Sequence, residues 1–169
     1  LRDNYPDRLF VAPKDEVVRY HASSGTTGKP TVVGYTQNDL DLWTSSLARA
    51  LTSCGLGRGD VIQVSYGYGL FTGGLGLHYG AERIGAAVLP TSVGNTERQI
   101  ELMQDMEVTA IACTPSYLLH MGEVAESMGI SIRDETHLRV GILGAEPWTD
   151  KMRKRLEEWL GIRAFDIYG

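Results

Sequence analysis

Apolar residues in this chain follow two alternating patterns. Short apolar runs at residues 61–66, 86–90, 109–113, 138–143 and 164–167 have the length and β-branched content of buried strands. The segments between them are longer, and their apolar residues recur every three or four positions, as in amphipathic helices. Strands that alternate with such helices predict right-handed crossovers and a mainly parallel sheet with helices on both faces. The expected fold class is α/β.

Capping residues support the predicted helix starts. Thr36 with Asp39, and Thr96 with Gln99, have the spacing of capping boxes. Thr114 precedes a proline that suits the first turn of a helix. We therefore expect a helix to begin at each of these three positions.

One segment breaks the alternation of strands and helices. Residues 23–30 read Ser-Ser-Gly-Thr-Thr-Gly-Lys-Pro and lie between β-branched runs at 17–22 and 31–35, so the local prediction is strand, loop, strand. Glycines let the backbone adopt positive φ and bring its N–H groups close to an anion, while the hydroxyls add donors and the lysine adds positive charge. The segment is predicted to bind a polyphosphate through Ser23, Ser24, Gly25, Thr26, Thr27, Gly28 and Lys29.

Two other interpretations of this segment fit the residues less well. A Walker A loop needs a glycine at position 23 and a hydroxyl residue at position 30, where this chain has Ser23 and Pro30. A flexible Ser/Gly linker seldom lies between two such strands.

In a parallel sheet, ligands bind at the carboxyl ends of the strands. Besides the phosphate loop, residues 67–74, 144–147 and 166–169 are expected at that edge. Gly144 and Ala145 are small and leave room for a flat ring, Glu146 can accept hydrogen bonds, and Tyr168 offers an aromatic face for stacking. Each of these two features has a simpler interpretation when taken alone. Residues 144–147 could form only a turn from strand to helix, and Tyr168 could be a core residue.

Together these segments resemble the adenylate-forming enzymes, the acyl-CoA synthetase and luciferase superfamily, and within it the phenylacetate-CoA ligases. Lysine before proline at 29–30 is the order in the phenylacetate ligases, whereas many superfamily members carry a lysine after the proline. The resemblance runs from Leu1 to Gly169 and rests on three separated motifs in the right order. It implies part of a large N-terminal domain, with residues 1–169 as a single α/β domain or subdomain cut from a longer chain.

The resemblance also implies roles for individual residues. The adenine and AMP site would comprise Gly144, Ala145, Glu146, Pro147, Asp166, Ile167, Tyr168 and Gly169. The aryl group of the substrate would be enclosed by Tyr66, Phe71, Gly73, Gly74, Ala145 and Ile167. Ordinary core filling is the alternative for the two aromatic residues in that second set.

The activity implied by the resemblance is ATP-dependent activation of phenylacetate or a related aryl acid as an acyl-adenylate, followed by thioester formation with coenzyme A. ATP and Mg²⁺ are the implied cofactors, and coenzyme A is a substrate. The catalytic lysine of the family belongs to a C-terminal domain that we expect to be absent here, so no catalytic residue or metal ligand is assigned within the chain. Two alternatives stay open: a non-catalytic nucleotide-binding or regulatory module of the same fold, and a different ATP-using enzyme such as a kinase.

Composition narrows the expected partners. The net charge is −5, whereas a general nucleic-acid binder usually has an excess of basic residues, so no nucleic-acid partner is expected. No apolar run approaches the ~18 residues that cross a bilayer, so no membrane partner is expected. Cys54 and Cys113 have no metal-ligand spacing, and the reducing cytoplasm is the expected location. Small molecules are the expected partners, with a homodimer left open.

Overall fold

The centre of the computed structural model, which describes residues 2–23, 28–70 and 72–168, is a five-stranded parallel sheet. Its strands lie in the order β4-β3-β5-β6-β7, and every neighbouring pair is parallel. The predicted α/β class is confirmed. The strands are β3 (Val61–Val64), β4 (Ala87–Leu89), β5 (Ala110–Cys113), β6 (Val140–Gly144) and β7 (Arg163–Ile167).

The segment before the sheet forms a separate antiparallel hairpin. Strands β1 (Val17–Ala22) and β2 (Val32–Thr36) pair with each other, and Ala22 lies opposite Val32 at the end next to the phosphate loop. Short 3₁₀ turns at Arg2–Asn4 and Lys14–Glu16 precede it. The two strands predicted on either side of residues 23–30 are therefore confirmed.

Helices lie between the strands, and most begin where the sequence predicts. Thr36 forms a complete capping box with Asp39, and the side chains of Thr114 and Thr149 each accept a hydrogen bond from a first-turn N–H group. The helices are α1 (Gln37–Ser53), α2 (Gly73–Arg83), α3 (Thr96–Asp105), α4 (Pro115–Ser127), α5 (Ile132–Glu135) and α6 (Asp150–Leu160).

Alternate residues of the central strands enter two different cores. In β5, Ile111 and Cys113 pack with residues of α3, α4 and α6, whereas Ala110 and Ala112 pack with residues of α1 and α2. Because successive side chains of a strand point to opposite faces, a strand that is apolar throughout needs cover on both sides. Helices on both faces of the sheet are therefore confirmed.

The capping box predicted at Thr96 is wrong. Helix α3 begins at Thr96, but its cap residue is Asn95, which has a φ of 49° and no side-chain cap bond. The Gln99 side chain is buried and donates instead to the carbonyl oxygens of Ser92 and Gly94, at 3.1 and 2.7 Å. A buried amide needs partners on both of its ends, and here the surrounding loop supplies them.

The sequence also predicts a glycine-rich loop over residues 67–76, but the loop is shorter, because its glycines at 73, 74 and 76 belong to α2. A Cβ atom on Gly76 would lie 2.6 Å from the ring of Trp43, and one on Gly80 would lie 2.7 Å from the Cβ of Leu47. Any larger residue at these two positions would push α1 away from α2. Close packing of the two helices therefore explains glycines that the sequence suggests are part of an open loop.

Candidate functional site

A small cavity opens between α1, α2 and the carboxyl ends of β6 and β7. Its volume is about 120 Å³. Five of its lining residues were predicted as aryl or nucleotide contacts, and they come from three separate segments: Tyr66, Gly73, Ala145, Ile167 and Tyr168. Five more were not predicted: Trp43, Leu47, Thr72, Gly76 and Leu77. The periodicity of α1 places Trp43 and Leu47 on its apolar face, which was the one available signal for them.

Tyr66 is both a core residue and a wall of the cavity. It is buried, and its hydroxyl donates a hydrogen bond of 2.6 Å to the carbonyl oxygen of Cys113. Burial raises the pKa of this hydroxyl far above its ordinary value, so it stays protonated and keeps donating. Tyr168, in contrast, is fully exposed, and the interpretation of that residue as core is wrong.

The turn after β6 brings the predicted adenine motif against the end of β7. A Cβ atom on Gly144 would lie only 2.3 Å from the carbonyl oxygen of Ile167, so glycine is required there by close approach of the backbone. Ala145 follows with a φ of 68°, in the left-handed region that L-residues rarely adopt. Pro147 is exposed next to it.

The remaining acidic group of that motif, Glu146, is already hydrogen-bonded within the protein. Its Oε1 accepts from the backbone N–H of Ser116 at 2.6 Å, and its Oε2 accepts from the Ser116 hydroxyl at 2.9 Å. Ser116 was not predicted as a site residue, and no local pattern in the sequence points to it.

The structure describes the predicted phosphate loop only at its two ends. The Ser23 hydroxyl accepts from the backbone N–H of Thr31 at 2.9 Å and closes the base of the loop. Gly28 has a φ of 141°, and the Lys29 ammonium lies 5.2 Å from the centre of the Tyr5 ring. The predicted phosphate contacts Ser24, Gly25, Thr26 and Thr27 lie outside the described residues.

The other predicted contacts fall into three groups. Phe71 and Gly169 lie outside the described residues. Gly74 packs against the backbone of Gly67, since a Cβ atom there would lie 2.7 Å from the Gly67 carbonyl oxygen. Asp166 is exposed on β7, where it pairs with Leu143 of β6.

His21 joins the hairpin that carries the phosphate loop to the glycine-rich loop. The side chain is buried, and its Nδ1 lies 2.9 Å from the carbonyl oxygen of Leu70. The backbone N–H of Ala22 donates to the same oxygen at 3.0 Å. The imidazole also packs edge-on against Trp43, with 5.5 Å between the ring centres, and thereby touches a wall of the cavity.

His78 is not among the described residues that line the cavity, and both of its ring nitrogens contact other side chains. Its Nδ1 lies 3.2 Å from the Tyr68 hydroxyl, and its Nε2 lies 3.2 Å from a carboxylate oxygen of Glu82. Burial raises the pKa of the Tyr68 hydroxyl to about 12, so Tyr68 remains a neutral phenol in this contact.

The described residues also bear on the predicted metal cofactor and on the expected absence of a membrane partner. Over residues 2–23, 28–70 and 72–168, no group of three or more His, Cys, Asp and Glu side chains is placed to hold a metal ion. Within the same ranges no helix has the length and apolar character needed to cross a membrane.

Curated relatives match the chain over its whole length. It is 57% identical to the phenylacetate-coenzyme A ligase of Pseudomonas putida and 57% identical to that of Escherichia coli strain K12, in each case over all of its 169 residues. The chain spans 38% and 39% of the length of these two proteins.

A solved structure of an acyl-CoA ligase also matches nearly all of the chain. The crystal structure of 2-hydroxyisobutyryl-CoA ligase in complex with 2-HIB-AMP and CoA superposes on 98% of the chain with a TM-score of 0.91 and 28% sequence identity, and the match covers 36% of that protein. The family described as AMP-binding enzymes matches residues 9–169. The chain therefore belongs to the family of AMP-binding enzymes.

Proposed function

We propose that the protein containing this chain joins phenylacetate or a related aryl acid to coenzyme A, using ATP and passing through an acyl-adenylate. The observation that carries the proposal is the cavity in which Tyr66, Ala145 and Ile167 meet from three segments. Its volume of about 120 Å³ is comparable to the cavity of about 150 Å³ that accepts a benzene ring in an apolar core. The identity of 57% to phenylacetate-coenzyme A ligases supports the same substrate class.

Two displacement steps make up this reaction. A carboxylate oxygen of the acid attacks the α-phosphorus of ATP, and the bond from that phosphorus to the pyrophosphate oxygen breaks. The thiol of coenzyme A then loses its proton and attacks the acyl carbon, and the bond from that carbon to the AMP oxygen breaks. The first step brings two anions together, so preorganised donors and positive charge at the phosphates lower its barrier.

The phosphate loop is the proposed source of those donors. Its glycines and hydroxyl residues are Ser23, Ser24, Gly25, Thr26, Thr27 and Gly28, and Lys29 adds the positive charge. The Ser23 hydroxyl, which accepts from the Thr31 N–H, still has its own proton to donate. Lys29 is exposed, and its flexible side chain can turn from Tyr5 toward a phosphate.

Adenine is proposed to lie along residues 144–147 and the exposed Tyr168, with Asp166, Ile167 and Gly169 beside them. The ring of Tyr168 is free to stack on a flat base, which contributes about 0.5–1.5 kcal/mol beyond burial. The aryl ring is proposed to enter the adjoining cavity, between Tyr66 and Gly73 on one side and Ala145 and Ile167 on the other. Phe71 stays a predicted contact from the sequence alone. Gly74 supports this pocket through the backbone of Gly67.

The remaining parts of the predicted chemistry stay predictions. We assign no residue of this chain to Mg²⁺, because the described residues offer no set of three metal ligands. Coenzyme A as the second substrate is supported by the 2-hydroxyisobutyryl-CoA ligase complex. A homodimer and a cytoplasmic location remain predictions.

The test is carried out on the full-length protein. Pyrophosphate exchange into ATP and release of AMP are measured with phenylacetate, benzoate and acetate, with and without coenzyme A. We expect exchange that depends on the acid, the highest kcat/KM with phenylacetate, and AMP release when coenzyme A is added. ATP binding without exchange for any of these acids would contradict the proposal and favour the non-catalytic module.

A further inference from the structure

We propose that Ser116 is a positioning residue for this reaction: it holds the Glu146 carboxylate and so fixes the left-handed turn at Ala145, between the adenine and aryl subsites. The inference rests on the proposed function and adds a residue to its site. Ser116 lies 30 positions before Glu146 in the chain, at the start of a different helix. We refer to the Ser116–Glu146 contact as the clasp.

The clasp uses both oxygens of the carboxylate. Oε1 accepts from the backbone N–H of Ser116 and Oε2 accepts from its hydroxyl, at 2.6 and 2.9 Å. Ser116 is the second residue of α4, where the backbone N–H groups have no partner inside the helix and the helix dipole favours a negative charge. The carboxylate is therefore fixed in place by two donors that share one rigid helix end.

Capping of α4 does not explain the hydroxyl of Ser116. Thr114 fills the cap position, and its side chain accepts from the backbone N–H of Tyr117 at 3.3 Å. The Ser116 hydroxyl donates away from the helix, to the loop that follows β6. Its effect is thus on residues 144–147 more than on the helix to which it belongs.

The clasp fixes one side of Ala145, and β7 fixes the other. Gly144 is pressed against the Ile167 carbonyl oxygen, and Glu146 is held by Ser116, so the alanine between them has no freedom to leave its φ of 68°. A non-glycine residue in this region is strained and persists only where its surroundings hold it. Ala145 lines the cavity in this conformation.

The junction between β5 and α4 also contacts the opposite wall of the cavity. Tyr66 donates to the carbonyl oxygen of Cys113, the last residue of β5 and three residues before Ser116. This junction therefore contacts a wall of the proposed aryl pocket on one side and, through Ser116, residues 144–147 on the other. Loss of the clasp should weaken the use of both ATP and the aryl acid.

The experiment compares Ser116→Ala with Ser127→Ala in the full-length enzyme. Ser127 lies at the other end of α4, where its hydroxyl donates to the carbonyl oxygen of Val124 at 2.7 Å. We expect Ser116→Ala to lower kcat/KM for both ATP and phenylacetate in pyrophosphate exchange by about 10-fold, the effect of losing one hydrogen bond to a charged group. Ser127→Ala should stay at the wild-type rate, and Ser116→Thr, which keeps a hydroxyl, should recover most of the activity.

A second comparison, made in a variant that carries Ala145→Gly, separates a role of Ser116 in positioning the turn from a role in supporting the helix. In Ala145→Gly the left-handed turn carries little strain. The loss caused by Ser116→Ala should therefore shrink to about twofold when both changes are combined, measured against Ala145→Gly alone. If Ser116→Ala does not fold, Glu146→Gln replaces it in both backgrounds, since it preserves shape and removes the charge.

The outcomes are distinguishable. If the wild-type enzyme forms no adenylate, the proposed function is wrong and the clasp has no role in it. If the wild type is active and Ser116→Ala matches Ser127→Ala, only the clasp is wrong. An equal loss in the alanine and glycine backgrounds at position 145 would also overturn the inference, because the turn would not depend on the clasp.

Discussion

The two ends of the parallel sheet use their polar groups in opposite ways. At the amino ends, the buried Asp60 carboxylate accepts from the Thr109 hydroxyl at 2.7 Å, from the Gly57 N–H at 2.9 Å and from the Arg139 guanidinium at 2.6 Å. These residues precede or flank β3, β5 and β6, so one carboxylate ties three strands together. We call this group the Asp60 cluster.

At the carboxyl ends of the strands, the backbone segments pack closely against each other but leave part of the surface open. Ala145 is held in a left-handed turn, Tyr168 is fully exposed, and a cavity remains between them. Among the residues that the structure describes, the buried Nε2 of His21 has no hydrogen-bond partner. The comparison predicts that the amino ends, tied together by the Asp60 cluster, stabilise the fold, and that the carboxyl ends, with a strained turn and open aromatic surface, are where ligands bind.

The largest expected effect comes from breaking the Asp60 cluster. Asp60→Ala leaves three donors without their acceptor, and we expect it to destabilise the protein by about 2–4 kcal/mol. The measurement is the shift in the urea unfolding midpoint of the full-length protein, with Asp105→Ala, an exposed aspartate, as the control. The KM values for ATP and acid should not change. A variant that kept its stability and lost substrate affinity would reverse the roles assigned to the two ends.

The same cluster predicts a dependence on pH. Burial alone would raise the pKa of Asp60, but the hydrogen bonds from Thr109 and Gly57 and the charge of Arg139 outweigh it and lower that pKa. A carboxyl group with a lowered pKa in the folded state stabilises the protein above its unfolded pKa of about 3.9, and this contribution is lost as the pH falls through the folded value. The difference in stability between wild type and Asp60→Asn should therefore shrink below about pH 4. A difference that stayed constant to pH 2 would contradict the role of the charge.

The second effect, at the carboxyl ends, concerns which acid is used. Ala145→Leu should fill the cavity and lower kcat/KM for phenylacetate by about 100-fold, while acetate, which needs less room, loses far less. Ala145→Gly is the control, because it preserves the left-handed turn without adding volume. The ratio of kcat/KM for the two acids is the measurement. An equal fall for both acids would mean that Ala145 supports the loop and does not contact the aryl ring.

A third, smaller effect is expected at the phosphate loop. Lys29→Ala removes one charged contact to the proposed phosphates and should raise the KM for ATP by about 10-fold, with the KM for the acid little changed. Lys14→Ala is the matched control, since Lys14 is an exposed lysine paired with Asp7. An unchanged KM for ATP would show that Lys29 is an ordinary surface charge.

Local signals in the sequence predicted the fold better than the site. The capping box at Thr36 needs only residues three positions apart, and it formed as expected. Gln99 has the same spacing from Thr96, yet burial against Gln63 and Ser65 gave its amide other partners. A pattern of local spacing carries no information about such distant neighbours.

The site depends on the same kind of distant contact. Trp43 and Leu47 lie in the predicted apolar stripe of α1, but only the close approach of α2 turns that stripe into a cavity wall. Gly76 suggested a loop because glycine is a poor helix former, whereas the close packing of α2 against Trp43 of α1 leaves no room for a Cβ atom there. Ser116 has no local signal, since its partner lies 30 residues away.

The smallest expected effect comes from replacing one buried side chain, His21, and it tests to which end of the sheet this residue belongs. The His21 side chain links the hairpin that carries the predicted phosphate loop to the glycine-rich loop, through a hydrogen bond to the Leu70 carbonyl oxygen. The backbone N–H of Ala22 donates to the same oxygen, and this second hydrogen bond would remain after His21 is replaced. His21→Ala should therefore raise the KM values for ATP and phenylacetate together by about fivefold, the effect of losing one neutral hydrogen bond. His21→Asn keeps a donor near the position of Nδ1 and should recover part of this loss.

The two KM values and the unfolding midpoint, measured on the same preparations, decide what His21 does. A rise in both KM values with little change in the midpoint would place His21 with the binding end of the sheet, since it then aligns two loops that contact different substrates. A large fall in the midpoint with unchanged KM values would instead place it with Asp60, as a residue that holds the fold. A change in the KM for ATP alone would separate the two loops and contradict the link through Leu70.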